Sequence, residues 1–279
     1  MAIFGRVSDT VNELRTRDPI LFWAGALNLL GLLIATLLSI SDTRLLLGIN
    51  PWIKPMKFFT SITFFLWTTA WFMAETRDLP RARAIVRWTI AVAMAIEMIL
   101  ITTQTVRGVP SHFNESTAIN IIIFSIMGLT IAVSTVAMGL FLSILRRDTP
   151  PRRAGYLWGM RLGVALFLLA SIEGGVIIAN GAHTVSQPDG GPGLPFVNWS
   201  TTGGDLRIAH FFGMHAMQAL PLFGFLLDRT VGGDRAVGGD KPSGLSIPAT
   251  VVIATAMVWL AIIVGLLVLA LQGRPLLAL

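Results

Sequence analysis

Seven runs of apolar residues divide this chain, near 19–40, 55–74, 85–106, 117–145, 157–180, 206–228 and 247–271. A helix needs about 20 mostly apolar residues to cross a ~30 Å hydrocarbon layer, and each run meets that length. Lipid offers the backbone no hydrogen-bond partners, so such runs are expected as helices that satisfy themselves. Little chain remains between them. The pattern predicts an all-α, polytopic membrane protein, with residues 19–279 forming one domain of seven transmembrane helices. Ahead of it, Ile3, Phe4, Val7, Val11 and Leu14 recur at helical spacing. Residues 1–18 therefore read as a short amphipathic helix lying on the membrane surface. Asp18 reads as an N-cap, with Pro19 at the first helical position of span one. The first apolar run is span-length and no small-residue cleavage site follows it, so no signal peptide is expected.

Composition agrees with this picture. Of 279 residues, 54% are hydrophobic and 13% charged, too few charges to clothe a soluble domain. The net charge of +6 does not point to nucleic acid, because the basic residues sit at helix ends rather than in a stripe. Their distribution gives orientation instead. Arg6, Arg15, Arg17, Arg77, Arg81, Arg83, Arg87, Arg146, Arg147, Arg152, Arg153, Arg161, Arg229, Arg235 and Lys241 fall on one side. Arg44, Lys54, Lys57, Arg107, Arg207 and Arg274 fall on the other. The positive-inside bias places the N-terminus in the cytoplasm and the C-terminus outside. The chain has no cysteine, which excludes disulfides, thiolate catalysis and iron–sulfur clusters.

The two faces differ in chemistry. Cytoplasmic loops are plain, and the Val-Gly-Gly-Asp repeat at 231–234 and 237–240 reads as a linker. All four histidines, His112, His183, His210 and His215, lie on or near the outer side. The outer loop at 181–204 is long for so compact a chain, and such loops tend to be lids or binding loops. Leu194, Phe196, Val197 and Trp199 give it an apolar underside. His183 and Asp189 would enter a cavity beneath, as a ligand and its orienting carboxylate.

Two carboxylates, Glu97 and Glu173, lie inside spans, where ionisable groups are costly and usually face a bundle interior or cavity. Counted along their helices, both sit roughly 10 Å below the outer end. His210 and His215 fall at comparable depth on span six, but five residues apart they diverge by about 140° unless the helix unwinds near Gly213. Any one of these residues can simply tie helices together. Their common level is what points to a site. Glu97, Glu173 and His215 are the expected ligands, with His210, His112 and His183 as further candidates. Imidazole with carboxylate suits zinc or non-haem iron or manganese, and imidazole alone can hold haem b. Lys54, Lys57, Arg107 and Arg207 form an outer cationic ring that would meet haem propionates or lipid phosphates, or simply snorkel. Met94, Met98, Met214 and Met217 read as packing rather than copper ligands.

A retinal protein needs a lysine in its last span, and 247–271 has none. Seven-span zinc hydrolases use His-x-x-x-His, and His210-Phe-Phe-Gly-Met-His215 is one residue too wide. The segments Lys54-Pro-Met-Lys-Phe58, Ser111-His-Phe-Asn114 and Gly204-Asp-Leu-Arg-Ile-Ala-His-Phe-Phe-Gly-Met-His215 do resemble those of bacterial seven-span proteins. The resemblance implies a multi-pass protein of a bacterial inner membrane and brings no activity with it.

Three functions are therefore expected in competition. The first is a metal or haem site open to the periplasm, acting on a small or lipid-soluble ligand. The second is a proton-coupled transporter or sensor using Glu97 and Glu173. The third is an accessory subunit, docked through the aromatic second span (Phe58, Phe59, Phe64, Phe65, Trp67, Trp71, Phe72). Membrane lipids, and a second copy of the chain, are the partners this composition admits.

Overall fold

The computed structural model describes residues 2–76, 79–147, 153–231 and 246–278, with side chains from Ser8 onward. The helices are α1 (Ala2–Arg17), α2 (Pro19–Ser41), α3 (Ile53–Met73), α4 (Pro80–Arg107), α5 (Ala118–Arg147), α6 (Ala154–Asn180), α7 (Arg207–Met214), α8 (Ala216–Thr230) and α9 (Ile247–Leu271). Two short strands, β1 (Thr184–Val185) and β2 (Gly204–Asp205), pair antiparallel. The protein is an all-α membrane protein. Among the described residues five helices are long and apolar enough to cross a bilayer: α2, α4, α5, α6 and α9. The other two expected spans depart from that standard for visible reasons. Helix α3 carries Lys54, Lys57 and several Thr and Ser residues within its 21. The sixth run is broken at His215 into pieces of eight and 15 residues. The linker repeat after Val231, and Arg77, Arg152, Arg235 and Lys241, lie outside the described residues, as do the side chains of Ile3, Phe4, Arg6 and Val7.

The chain forms two compact units, the first ending at Phe141 within α5 and the second starting at Leu142. In the first, Asp18 caps α2 by accepting from Leu21 N at 3.2 Å, with Pro19 opening the helix. Its other oxygen meets Arg87 Nε at 2.6 Å, so the fully buried carboxylate is satisfied from two sides. Helices α2 and α3 approach closely because Gly25 and Gly31 leave room for the Trp67 and Phe59 rings. Trp67 Nε1 donates to Phe22 O at 3.1 Å. Trp71 lies under the Arg17 guanidinium at 4.0 Å, and Arg17 also pairs with Glu75 at 2.6 Å. Much of the aromatic character of α3 thus serves this unit, while Phe64 remains exposed.

In the second unit, Gly155, Gly159 and Gly163 recur every four residues along α6 and lie against the backbone of α8 at Gly224, Leu220–Pro221 and Ala216. A Cβ at Gly159 would stand 2.5 Å from Leu220 O. Small residues at this spacing let two helices pack backbone to backbone. Asp228 of α8, buried, accepts from Gly155 N at 3.0 Å and Tyr156 N at 2.7 Å, satisfying the first amides of α6. Helix α9 covers the pair through Ala256, Ile263 and Trp259. The Trp259 ring stacks on Phe212 at 4.5 Å.

Candidate functional site

The His215 break matters for the site, because it ends α7 just beyond His210. His215 keeps near-helical angles (φ −75°, ψ −7°), and its carbonyl accepts from both Gln218 N and Ala219 N at 3.1 Å. Its side chain is exposed. His210, a turn earlier, turns against α6. Its Nδ1 lies 2.7 Å from Ala170 O and 3.4 Å from Glu173 Oε2, with the ring resting over Gly174. A carbonyl oxygen can only accept, so Nδ1 carries a proton toward Ala170 O. Glu173 is 6% exposed, and neither of its oxygens has a hydrogen-bond partner.

That orphaned carboxylate is unusual here. Asp18, Glu75, Asp205 and Asp228 are as deeply buried, and each is held by an arginine or by backbone amides. An ionised carboxylate without a donor costs several kcal/mol, and a proton, a water or a cation has to complete it.

The first unit holds a separate polar cluster. Glu97, 2% exposed, has Thr130 Oγ1 at 3.5 Å and lies within electrostatic reach of Lys54. Lys54 Nζ stands 3.1 Å from His112 Nδ1, which also meets Ser111 Oγ at 3.0 Å. The His112 ring is flanked by Phe58, Phe113 and Phe124. Arg107 bonds the side-chain oxygens of Gln104 and Asn120. Lys57 stands one turn from Lys54 on α3.

The loop at 181–204 packs on the end of α9. Gly204 lies against Ala270, and Ser186 Oγ donates to Gly273 O at 3.2 Å. His183 and Asp189 do come together, Nδ1 to Oδ2 at 2.6 Å. The Asp189 oxygens also accept from the backbone N–H groups of His183 and Thr184, at 3.1 and 3.0 Å. Burial pushes the Asp189 carboxyl up, but these bonds, His183 first among them, outweigh it and hold the group well below the usual carboxylate range. Arg207 is bound into the same loop, to Asp205 Oδ2 and Asn198 O, both at 2.5 Å. It anchors the loop. Phe196, expected on the underside, is 55% exposed.

The structure therefore joins Glu173 with His210, Lys54 with His112, and His183 with Asp189. Among the described residues no three His, Asp or Glu side chains converge on one point. Sequence reasoning missed Ala170 O and Gly174 as the parts that orient His210. It also missed the Gly155, Gly159, Gly163 stripe, whose i, i+4, i+8 spacing was a legible signal. Fold and site together define an all-α membrane protein with buried ionisable side chains. Comparison with protein-family models, with curated proteins and with solved structures returned no match for the chain.

Proposed function

We propose that this is a proton-coupled protein of a bacterial inner membrane, a transporter or sensor in which Glu173 and His210 exchange a proton. The observation behind this reading is the buried Glu173 carboxyl, without a hydrogen-bond donor, 3.4 Å from an imidazole. Buried ionisable pairs within membrane helices commonly mark proton relays. A chelate is less well supported, because the nitrogen nearest Glu173 already carries a proton toward Ala170 O. In the same reading α3 and the broken α7–α8 pair complete seven crossings, with the N-terminus cytoplasmic and the C-terminus outside.

The test is difference infrared spectroscopy on the purified protein across pH, with proton uptake measured in proteoliposomes. A carboxyl band that titrates, vanishes in Glu173→Gln and moves in His210→Gln supports the couple. Unchanged bands, with equal proton flux in wild type and Glu173→Gln, would sink it. A second reading draws on Nε2 of His210, the ring nitrogen that Ala170 O does not engage. An imidazole oriented through Nδ1–H to a carbonyl is how proteins present Nε2 to haem b or to zinc, iron or manganese. Within the same unit His183 and His215 would then have to be brought in as further ligands by rearrangement. Colour and stoichiometric metal in the purified protein, lost in His210→Ala, would promote this reading over the first.

A further inference from the structure

A cavity of about 490 Å³ opens along the first unit, lined by Phe59 of α3 and by Met98, Ile99, Thr102, Val106 and Arg107 of α4. From Met98 to Val106 the lining runs roughly 12 Å along the helix, most of the depth of one ~15 Å hydrocarbon leaflet. Its inner walls are apolar. Its outer end is Arg107, in the last turn of α4, whose side-chain partners are the neutral amide oxygens of Gln104 and Asn120. Nearby Arg44 differs, because Asp42 balances it at 2.6 Å. Midway along the groove stand Thr102 and the adjacent Thr103, which also lines it. Neither hydroxyl bonds back to its own helix, whereas Thr105 in the same turn donates to Ile101 O at 3.0 Å.

We propose that this groove binds one phospholipid with an anionic headgroup. The order of chemistry along it matches such a molecule: a cation that no carboxylate balances among the described residues, for the phosphate, then free hydroxyls for the ester carbonyls, then hydrocarbon against Phe59, Met98 and Ile99. Charge complementarity selects the occupant. A neutral zwitterionic lipid brings its own cation to Arg107, and an anionic one does not. The groove is independent of the Glu173–His210 couple.

The test is native mass spectrometry of the full chain, delipidated and then titrated with phosphatidylglycerol or phosphatidylcholine. Wild type is expected to retain one phosphatidylglycerol in preference to phosphatidylcholine. Arg107→Gln is expected to weaken that retention about ten-fold, the scale of one charge-assisted hydrogen bond. Ile99→Trp, which fills the groove from a lipid-facing position, should reduce retention of both lipids, and Arg44→Gln should change neither. Equal retention of the two lipids by wild type, or undiminished phosphatidylglycerol binding in both Arg107→Gln and Ile99→Trp, would overturn the proposal and leave only annular lipid contact.

Discussion

Replacing Gly159 with alanine puts a methyl group where the α8 backbone already is. The added Cβ would lie 2.5 Å from Leu220 O and 2.7 Å from Pro221 Cα. That is about 0.9 Å inside the 3.4 Å at which ordinary contact begins. Both neighbours are backbone, so no side chain can swing clear, and α6 and α8 must separate. Overpacking of this kind costs about 1–3 kcal/mol. Against it, alanine improves on glycine in a helix by about 0.5–1 kcal/mol.

Gly175 on the same helix supplies the control, because a Cβ there meets nothing within 4 Å. The propensity gain is common to both substitutions and cancels. Gly159→Ala should therefore be less stable than Gly175→Ala by the overlap alone, about 1–3 kcal/mol. Thermal unfolding of the detergent-solubilised proteins, followed by tryptophan fluorescence, reads the difference as a separation of several degrees. Coincident midpoints would refute the backbone-to-backbone packing, and with it the placement of α6 that sets Glu173.

Two further outcomes follow from the 181–204 loop and the proposed orientation. Asp189→Asn should loosen the 181–204 loop, raising hydrogen exchange at the His183 and Thr184 amides by about 1.5–3 kcal/mol of local opening. Because the folded-state Asp189 pKa is depressed, its contribution is present above the unfolded value of about 3.9 and lost only below it. The gap between wild type and variant should not shrink between about pH 8 and pH 5, and closure by pH 5 would refute the bonding. The chain has no cysteine, so single introduced thiols report sidedness directly. Gln187→Cys should react with an impermeant maleimide in intact cells and Arg81→Cys should not, and the reverse pattern would invert the topology.

What the sequence made legible was governed by local rules. The Asp18 cap, the Pro19 start and the five long apolar helices follow from composition and first-turn chemistry, and they appear where those rules put them. The His183–Asp189 contact was also legible, as two polar side chains on one short turn. The break at His215 was not, because a run of the right length says nothing about continuity. Only Gly213 hinted at it, and the structure wedges Gly213 between Ala170 and Ile263. The loop geometry also escaped reading. Left-handed conformations fall on Ser186, Phe196 and Asn198 as well as on Gly190, so glycine positions alone did not mark its turns. Helical spacing also gave no sign that Ala170 O would hold the His210 ring. Such a partner sits 40 residues away and leaves no mark in local spacing.

The two intramembrane glutamates were alike in the sequence, and their neighbours separate them. Glu97 has Thr130 at 3.5 Å and lies within reach of the charge of Lys54, a fixed cation. Lysine ordinarily stays charged across physiological pH, so Lys54 offers Glu97 no proton-exchanging partner. Glu173 faces an imidazole, a group that can hold one proton or two. An imidazolium can pass its Nδ1 proton to the Glu173 carboxylate while Nε2 keeps the other, and a carboxyl beside a permanent cation has no such partner. The same substitution should therefore read differently at the two positions. Glu97→Gln takes a negative charge from the neighbourhood of the half-buried Lys54 and acts through stability, while Glu173→Gln removes one end of the proposed couple and acts through the pH dependence of function. Proton uptake that fell equally in both, with both proteins intact, would show that the distinction drawn from their neighbours is false.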